Sequence, residues 1–406
     1  MKNLFKLMII LLIVSSVFAT NSRIVTLGGR TAIVRDDDRN INLFPQRIND
    51  GSLIRFEGIN TGAPNFLFTF GENSKWGFYG GNNQVNDFLN IYKGIGENSA
   101  IKLGLAMGIE SSSDEDSNEE PSPGNISTLE EMKSRNIGVD FQYGSDFGDT
   151  EFSTSIGFIN GPNLINNLGQ NINTYSLENT FGTVTTTNEG NASGTLLAFD
   201  LQIRKPANIM FFENLYSNTF AGFLKTNSHY EPNNVVVEHE SYSDFFAISE
   251  IILFNEVGIN DSMFTIYYGT GFNGAFQSIK DIDTVGHTED TFSGFGVGGP
   301  TIMIGTEIDV KYFVFRFGVR KNINIFDFTK EISTSDFGTE DDIRTIKNSD
   351  ILSNGNYVFS SGLGFSYKKF TVNLQLNNAF WVTGPQMILS GTGGTLGASA
   401  DVIYEF

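Results

Sequence analysis

Ionisable side chains set in alternating stretches are the residues of this chain best placed to do chemistry. Asp140 and Gln142, Asp200 and Arg204, Glu307 and Asp309, and Arg316 and Arg320 lie two or four positions apart. On an extended backbone that spacing puts the members of each pair on one face. Carboxylates and guanidiniums sharing a wet face either line a channel or pair into a network that fills an interior. Opposite signs on separate walls would create a transverse field, whereas direct pairing would seal the core, and the residue types fit either arrangement.

Other chemistry finds less support. The chain has 3 His, namely His229, His239 and His287, all expected in long loops with no spacing to an activated Ser and an orienting acid. In Glu238-His239-Glu240 an extended backbone would turn the imidazole away from both carboxylates. With 0 Cys there is no thiolate ligand, no disulfide and no lipidation cysteine. The acidic run Ser111 to Glu120 lacks the glycine-turned spacing of an EF-hand loop and reads as a solvated segment. Gly-Val-Gly-Gly at 296–299 and Gly-Thr-Gly-Gly at 391–394 lack the Lys and the strand-to-helix setting of a phosphate loop. No catalytic residue, metal or cofactor is therefore expected, and the chain does not read as an enzyme. A formal charge of -20 argues against nucleic acid, whose phosphates require a surplus of Lys and Arg.

The elements that must hold the charged faces are strands. From Phe370 to Asn377, Phe370, Val372, Leu374 and Leu376 oppose Thr371, Asn373, Gln375 and Asn377. The same period recurs over Asn136 to Tyr143, over Leu197 to Arg204, and over Phe313 to Arg320, where the charges stay on the second face. Ile101, Leu103, Leu105, Met107 and Ile109 face away from Lys102, Gly104, Ala106 and Gly108, so that second face is small as well as polar. Beyond residue 19 no apolar run reaches the length of a membrane helix, and a closed barrel is the other structure that satisfies its backbone in lipid. Mean hydropathy, -0.11, does not discriminate, because alternation averages to that value.

The expected fold is all-β: a transmembrane antiparallel barrel of about 14 strands, with 16 as the neighbouring even count. Candidate strands begin near Leu53, Phe66, Trp76, Ile101, Asn136, Phe152, Leu197, Thr219, Phe245, Met263, Ile302, Phe313, Tyr357, Phe370 and Leu396. Ser145 to Asp149 and Lys368-Lys369 suit tight periplasmic turns. Ser111 to Leu129, Gly161 to Ser193, Thr226 to Tyr242, Gln277 to Gly298 and Asp327 to Asn354 suit long extracellular loops. Lys2 and Lys6, the apolar run Leu7 to Val14 and Val17-Phe18-Ala19 predict a signal peptide over 1–19. Residues 20–50 then form a periplasmic or plug segment and 51–406 the barrel.

Two resemblances add to this. Leu396, Ala398, Ala400, Val402, Tyr404 and Phe406 share one face and end on an aromatic, which resembles the terminal strand of bacterial outer-membrane barrels. That resemblance implies a Gram-negative-type envelope and recognition of Tyr404 and Phe406 by the barrel assembly machinery. Leu27-Gly28-Gly29, Asp36-Asp37-Asp38 and Asn42-Leu43-Phe44-Pro45 are similar to the amino-terminal region of the long-chain fatty-acid transporter family. In that family a Gly-Gly turn and an Asp pair precede an Asn-Pro-Ala element, and the segment plugs a 14-stranded barrel; here Phe44-Pro45-Gln46 stands near that element's place.

The expected location is the bacterial outer membrane, with lipids and a small-molecule solute as partners. The function that follows is passive passage of a small solute, hydrophobic if residues 20–50 form a plug. A non-conducting anchor for surface loops, serving adhesion or envelope organisation, is the alternative.

Overall fold

The computed structural model describes residues 22–57, 65–72, 75–81, 89–112, 132–160, 190–230, 238–259, 263–283, 288–335, 342–376 and 397–406. The strands are β1 (Leu53–Glu57), β2 (Asn65–Phe70), β3 (Trp76–Gly81), β4 (Leu89–Gly94), β5 (Ser99–Ser112), β6 (Met132–Phe147), β7 (Thr150–Asn160) and β8 (Gly190–Ile209). They continue as β9 (Phe212–Tyr230), β10 (Glu238–Ile259), β11 (Phe264–Asp283), β12 (Thr288–Val310), β13 (Phe313–Ser335), β14 (Asp342–Tyr367), β15 (Phe370–Leu376) and β16 (Gly397–Glu405). Each pairs antiparallel with its sequence neighbours, and β1 pairs with β16, so the sheet closes. Sixteen described strands make the barrel, the upper of the two expected counts.

β4 is the strand the sequence pattern passed over. It contains only 6 residues, and its inward face carries Asn90, Tyr92 and Gly94, of which Tyr92 blurs the polar alternation. With sixteen strands the architecture also departs from the 14-stranded barrel of the fatty-acid transporter family.

Burial reverses the arrangement of a water-soluble protein. Leu103, Leu105, Val139, Phe141, Phe158, Leu197 and Phe199 are exposed on the outer face, while Gln142, Glu151, Ser153 and Arg204 are buried on the inner one. A continuous exposed apolar band around a closed sheet requires lipid as its solvent, so the chain is a membrane-spanning barrel of the outer-membrane type. Trp76, Tyr312, Tyr367 and Tyr404 lie near the end where short turns join the strands, and Lys93, Lys311 and Lys368 sit over three of those rings. Amphipathic rings beside cations suit a membrane interface.

At that turn end, Gly148-Asp149 joins β6 to β7 and Lys368-Lys369 joins β14 to β15, as expected; Gly148 and Lys368 take positive φ (62 and 57). The opposite end corrects several expected loops. Most of Thr226 to Tyr242, Gln277 to Gly298 and Asp327 to Asn354 is strand, because β8 to β14 run 19 to 26 residues. A tilted crossing takes about 9–11 residues. The remainder stands beyond the lipid, where both faces are wet and the alternation that marks a membrane strand disappears. His229 and His239 accordingly lie on β9 and β10, paired directly in register, and not in loops. The acidic run's residues 113–120, most of Gly161 to Ser193, and His287 fall outside the described residues.

Candidate functional site

Residues 22–50 run along the inner wall at the turn end of the ring. They form α1 (Ser22–Thr26), a 3-10 turn (Thr31–Ile33), α2 (Asn40–Leu43) and a second 3-10 turn (Pro45–Asn49), then enter β1. The segment turns at Gly28 and Gly29, whose φ values of +106 and +77 belong to the left-handed region that glycine tolerates. The turn is pressed against the wall. A Cβ at Gly305 would lie 2.7 Å from the Leu27 carbonyl oxygen, and one at Gly318 would lie 2.5 Å from the Gly28 nitrogen. Small inward residues thus shape a seat for this backbone.

Asn40 organises the loop that carries the three aspartates. Its amide donates to the carbonyls of Val34 (2.7 Å), Arg35 (3.1 Å) and Asp37 (2.8 Å), and its oxygen accepts from Arg204 (2.9 Å). The segment buries apolar side chains on two sides. Ile24, Leu27, Ile33, Val34 and Phe44 pack with Tyr216, Ile252, Phe254, Tyr267 and Met303. Ile41 and Ile48 pack with Leu53, Leu67, Tyr79 and Tyr92. Arg204 lies over the Phe44 ring, 4.8 Å from its centroid.

Charge completes the attachment, and its pattern is regular. Every arginine of the segment pairs with an inward glutamate of the wall: Arg23 with Glu307 (2.8 Å), Arg30 with Glu250 (2.6 Å), Arg39 with Glu57 (3.7 Å), Arg35 with Glu151 (3.9 Å), and Arg47 also with Glu151. Glu151 and Glu307 are each held from the other side by a wall arginine directly opposite in register, Arg204 and Arg316. Two Arg-Glu-Arg bridges result, Arg23-Glu307-Arg316 and Arg47-Glu151-Arg204, with Arg35 also approaching Glu151. The segment's carboxylates turn elsewhere: Asp36 and Asp37 onto Arg23, Asp38 onto the wall's Arg55 (3.2 Å), and Asp50 onto Arg47.

Protonation follows from these contacts. Burial alone would lower the Arg23 guanidinium, but its hydrogen bond and charge contact with Glu307, with Asp37 and Asp36 nearby, hold it well above its ordinary value. Burial, together with the neighbouring Asp38, raises the Asp37 carboxyl, and Arg23 and the Arg39 amide only partly offset this.

The strand register places all eight residues selected as lumen-lining on the inner face, and the structure sorts them into three groups. Arg204, Glu307, Arg316 and Gln142 touch or brace the segment: Gln142 donates to the Leu43 carbonyl (3.1 Å), and Arg316 donates to Asn373 (2.7 Å). Asp140 and Asp200 lie farther from the turn end, Asp140 paired with Lys102 (2.8 Å) and Asp200 accepting from Gln202. Asp309 is exposed at the rim, and Arg320 approaches the Gly28-Gly29 turn. Of the two arrangements the sequence left open, the charges at the turn end adopt direct pairing.

Sequence reasoning missed Glu57, Glu151 and Glu250, and it missed the arginines that meet them. Two signals were available. The five basic residues of 22–50 are all Arg and none is Lys, a choice that suits buried forked pairing over solvation. Glu151 also shares the alternating face of Ser153 and Ser155 just after a tight turn.

At the carboxyl terminus, Phe406 and Tyr404 stack with centroids 6.5 Å apart on the outer face, and the Phe406 amide donates to the Ser52 carbonyl at the β1 seam (3.1 Å).

No known protein family matches the chain, and no curated protein matches it. Solved structures similar to it include the open form of the ferric-catecholate import receptor Fiu of E. coli K12, at 8% identity over 81% of this chain with a TM-score of 0.38. The ferric preacinetobactin receptor BauA of Acinetobacter baumannii shares 9% over 88% of this chain and 80% of its own (TM-score 0.31). The ferric yersiniabactin uptake receptor FyuA of Yersinia pestis shares 7% over the same fractions (TM-score 0.29). The chain spans 55% and 50% of the length of the two forms of Fiu. Likeness this loose assigns no function.

Proposed function

We propose that this chain is an outer-membrane transport barrel, and that segment 22–50 is a plug closing its periplasmic mouth until displaced, after which a small solute passes down its own gradient. The observation that carries this reading is the attachment of the segment around the ring, from Asp401 on β16 through Glu57, Glu151 and Glu250 to Glu307 on β12. Among the described residues, each of these hydrogen bonds and ion pairs has a side chain on at least one side and none is a strand ladder to the wall, so the attachment can be released without opening the sheet. Short turns at the segment's end of the barrel support a periplasmic orientation for it, and the outward exposure of Tyr404 and Phe406 supports their reading as residues offered to the assembly machinery.

The solute's class follows from the wall beyond the segment. Leu196, Leu224, Tyr242 and Phe246 form an inward apolar cluster, with Phe220 and Ile279 packed against it. Such a surface suits a solute with an apolar part.

Planar-bilayer recording tests the proposal. The wild-type chain should be silent or only briefly open, and R23Q/R30Q/R47Q should conduct steadily. If the triple variant stays as silent as the wild type while remaining folded, the barrel is a sealed anchor and the transport reading fails.

A further inference from the structure

The inner wall is not balanced in charge. Its inward bases include Arg55, Lys102, Arg204, Arg316 and Arg320. The inward acids include Glu57, Glu151, Glu250, Asp244, Glu307 and Asp401, and beyond the segment also Asp200, Asp281 and Asp290. Four of these acids, Glu57, Glu151, Glu250 and Glu307, meet the segment's arginines. Removing the segment from the ring takes away its guanidiniums: Glu250 loses its ion pair, while Glu57, Glu151 and Glu307 keep one wall arginine each, and the inward carboxylates of the described wall stay in excess of its bases. A low-dielectric tube lined by one sign of charge concentrates the opposite ion.

The region that the segment does not reach has the same sign. Asp244 is 2% exposed, accepts from Gln277 (2.9 Å), and keeps its second oxygen without a hydrogen-bond partner. Asp281 stands directly opposite Asp290 on the inward face of β11 and β12.

We propose that the pathway beneath segment 22–50 selects cations, and that the segment's arginines are resident counterions whose place a positively charged solute takes. This deepens the transport reading and rests on it. Together with the apolar cluster, it assigns the solute to the small organic cations, whose charge meets the carboxylates and whose body meets Phe220, Tyr242 and Phe246.

Two measurements test it. In planar bilayers with a KCl gradient, the reversal potential of R23Q/R30Q/R47Q should report potassium about fivefold more permeant than chloride, and adding E250Q should lower that ratio. A ratio at or below one, or a ratio unmoved by E250Q, overturns the proposal. Independently, equilibrium dialysis of the purified wild-type chain against methyl viologen, a small organic dication, should show saturable binding. D200N/D244N should weaken that binding about tenfold. Absent binding, or binding indifferent to the double substitution, also overturns the proposal. If the bilayers are silent but the dication binds, the transport reading fails while the cationic preference stands.

Discussion

At the turn end of the lumen, Glu151 is met by Arg47 and Arg204 and approached by Arg35; toward the other end, Asp281 faces Asp290 across β11 and β12. The strands and the alternation are the same in both places, and the difference lies in what the inner face is offered. Near the turns an extra stretch of chain brings arginines, a Gly-Gly bend and apolar side chains, so inward carboxylates become cross-links. Farther along, the described wall carries its acids beside an apolar cluster that the segment does not reach. An acidic inward residue is therefore neither structural nor functional by type. Its role depends on whether the segment reaches it.

Breaking the paired half should have the largest effect. Glu151→Ala leaves Arg204 buried without its carboxylate, and removing one member of a buried bridge costs about 3–5 kcal/mol. Limited proteolysis should cut within 22–50 far faster than in wild type, while β-barrel heat-modifiability on gels is kept. Unchanged protection would remove the bridge from the account of docking. Gly318→Ala sharpens the steric side of the comparison. Its Cβ would enter the Gly28 backbone, and overpacking of this kind costs about 1–3 kcal/mol. The same protease assay should show intermediate exposure, and wild-type kinetics would mean that the seat yields more easily than the geometry implies. Lys280→Ala tests the contrast from the other side. Lys280 and Glu289 form a 2.8 Å pair in which both side chains are 47% exposed, and an exposed pair contributes about 0–1 kcal/mol. Neither proteolysis nor thermal unfolding should move appreciably, and a large shift would show that the far half is cross-linked as tightly as the near one.

Some of this organisation could be read from residue order. Gly104, Gly138 and Ser153 alternate with exposed Leu103 and Val139 and half-buried Phe152, so the faces of β5, β6 and β7 were legible, as was the inward placement of Asp200, Arg204, Glu307 and Arg316. The distal halves of β9 to β14 were not. Outside lipid both faces of a strand are wet, and polar hairpins such as Thr226 to Tyr242 then look like loops. β4 was hidden by its length and by Tyr92, a tyrosine that faces inward to donate to Asn42 (3.2 Å).

The sequence by itself determined that apolar and polar residues alternate through many segments, and in a closed sheet that alternation dictates which side meets lipid. Only the tertiary structure decided which charges meet. Arg47 and Glu151 are 104 positions apart and Arg23 and Glu307 are 284 apart. Ion pairing depends on distance in space, and barrel closure and the path of the segment, neither of which any local pattern encodes, set those distances.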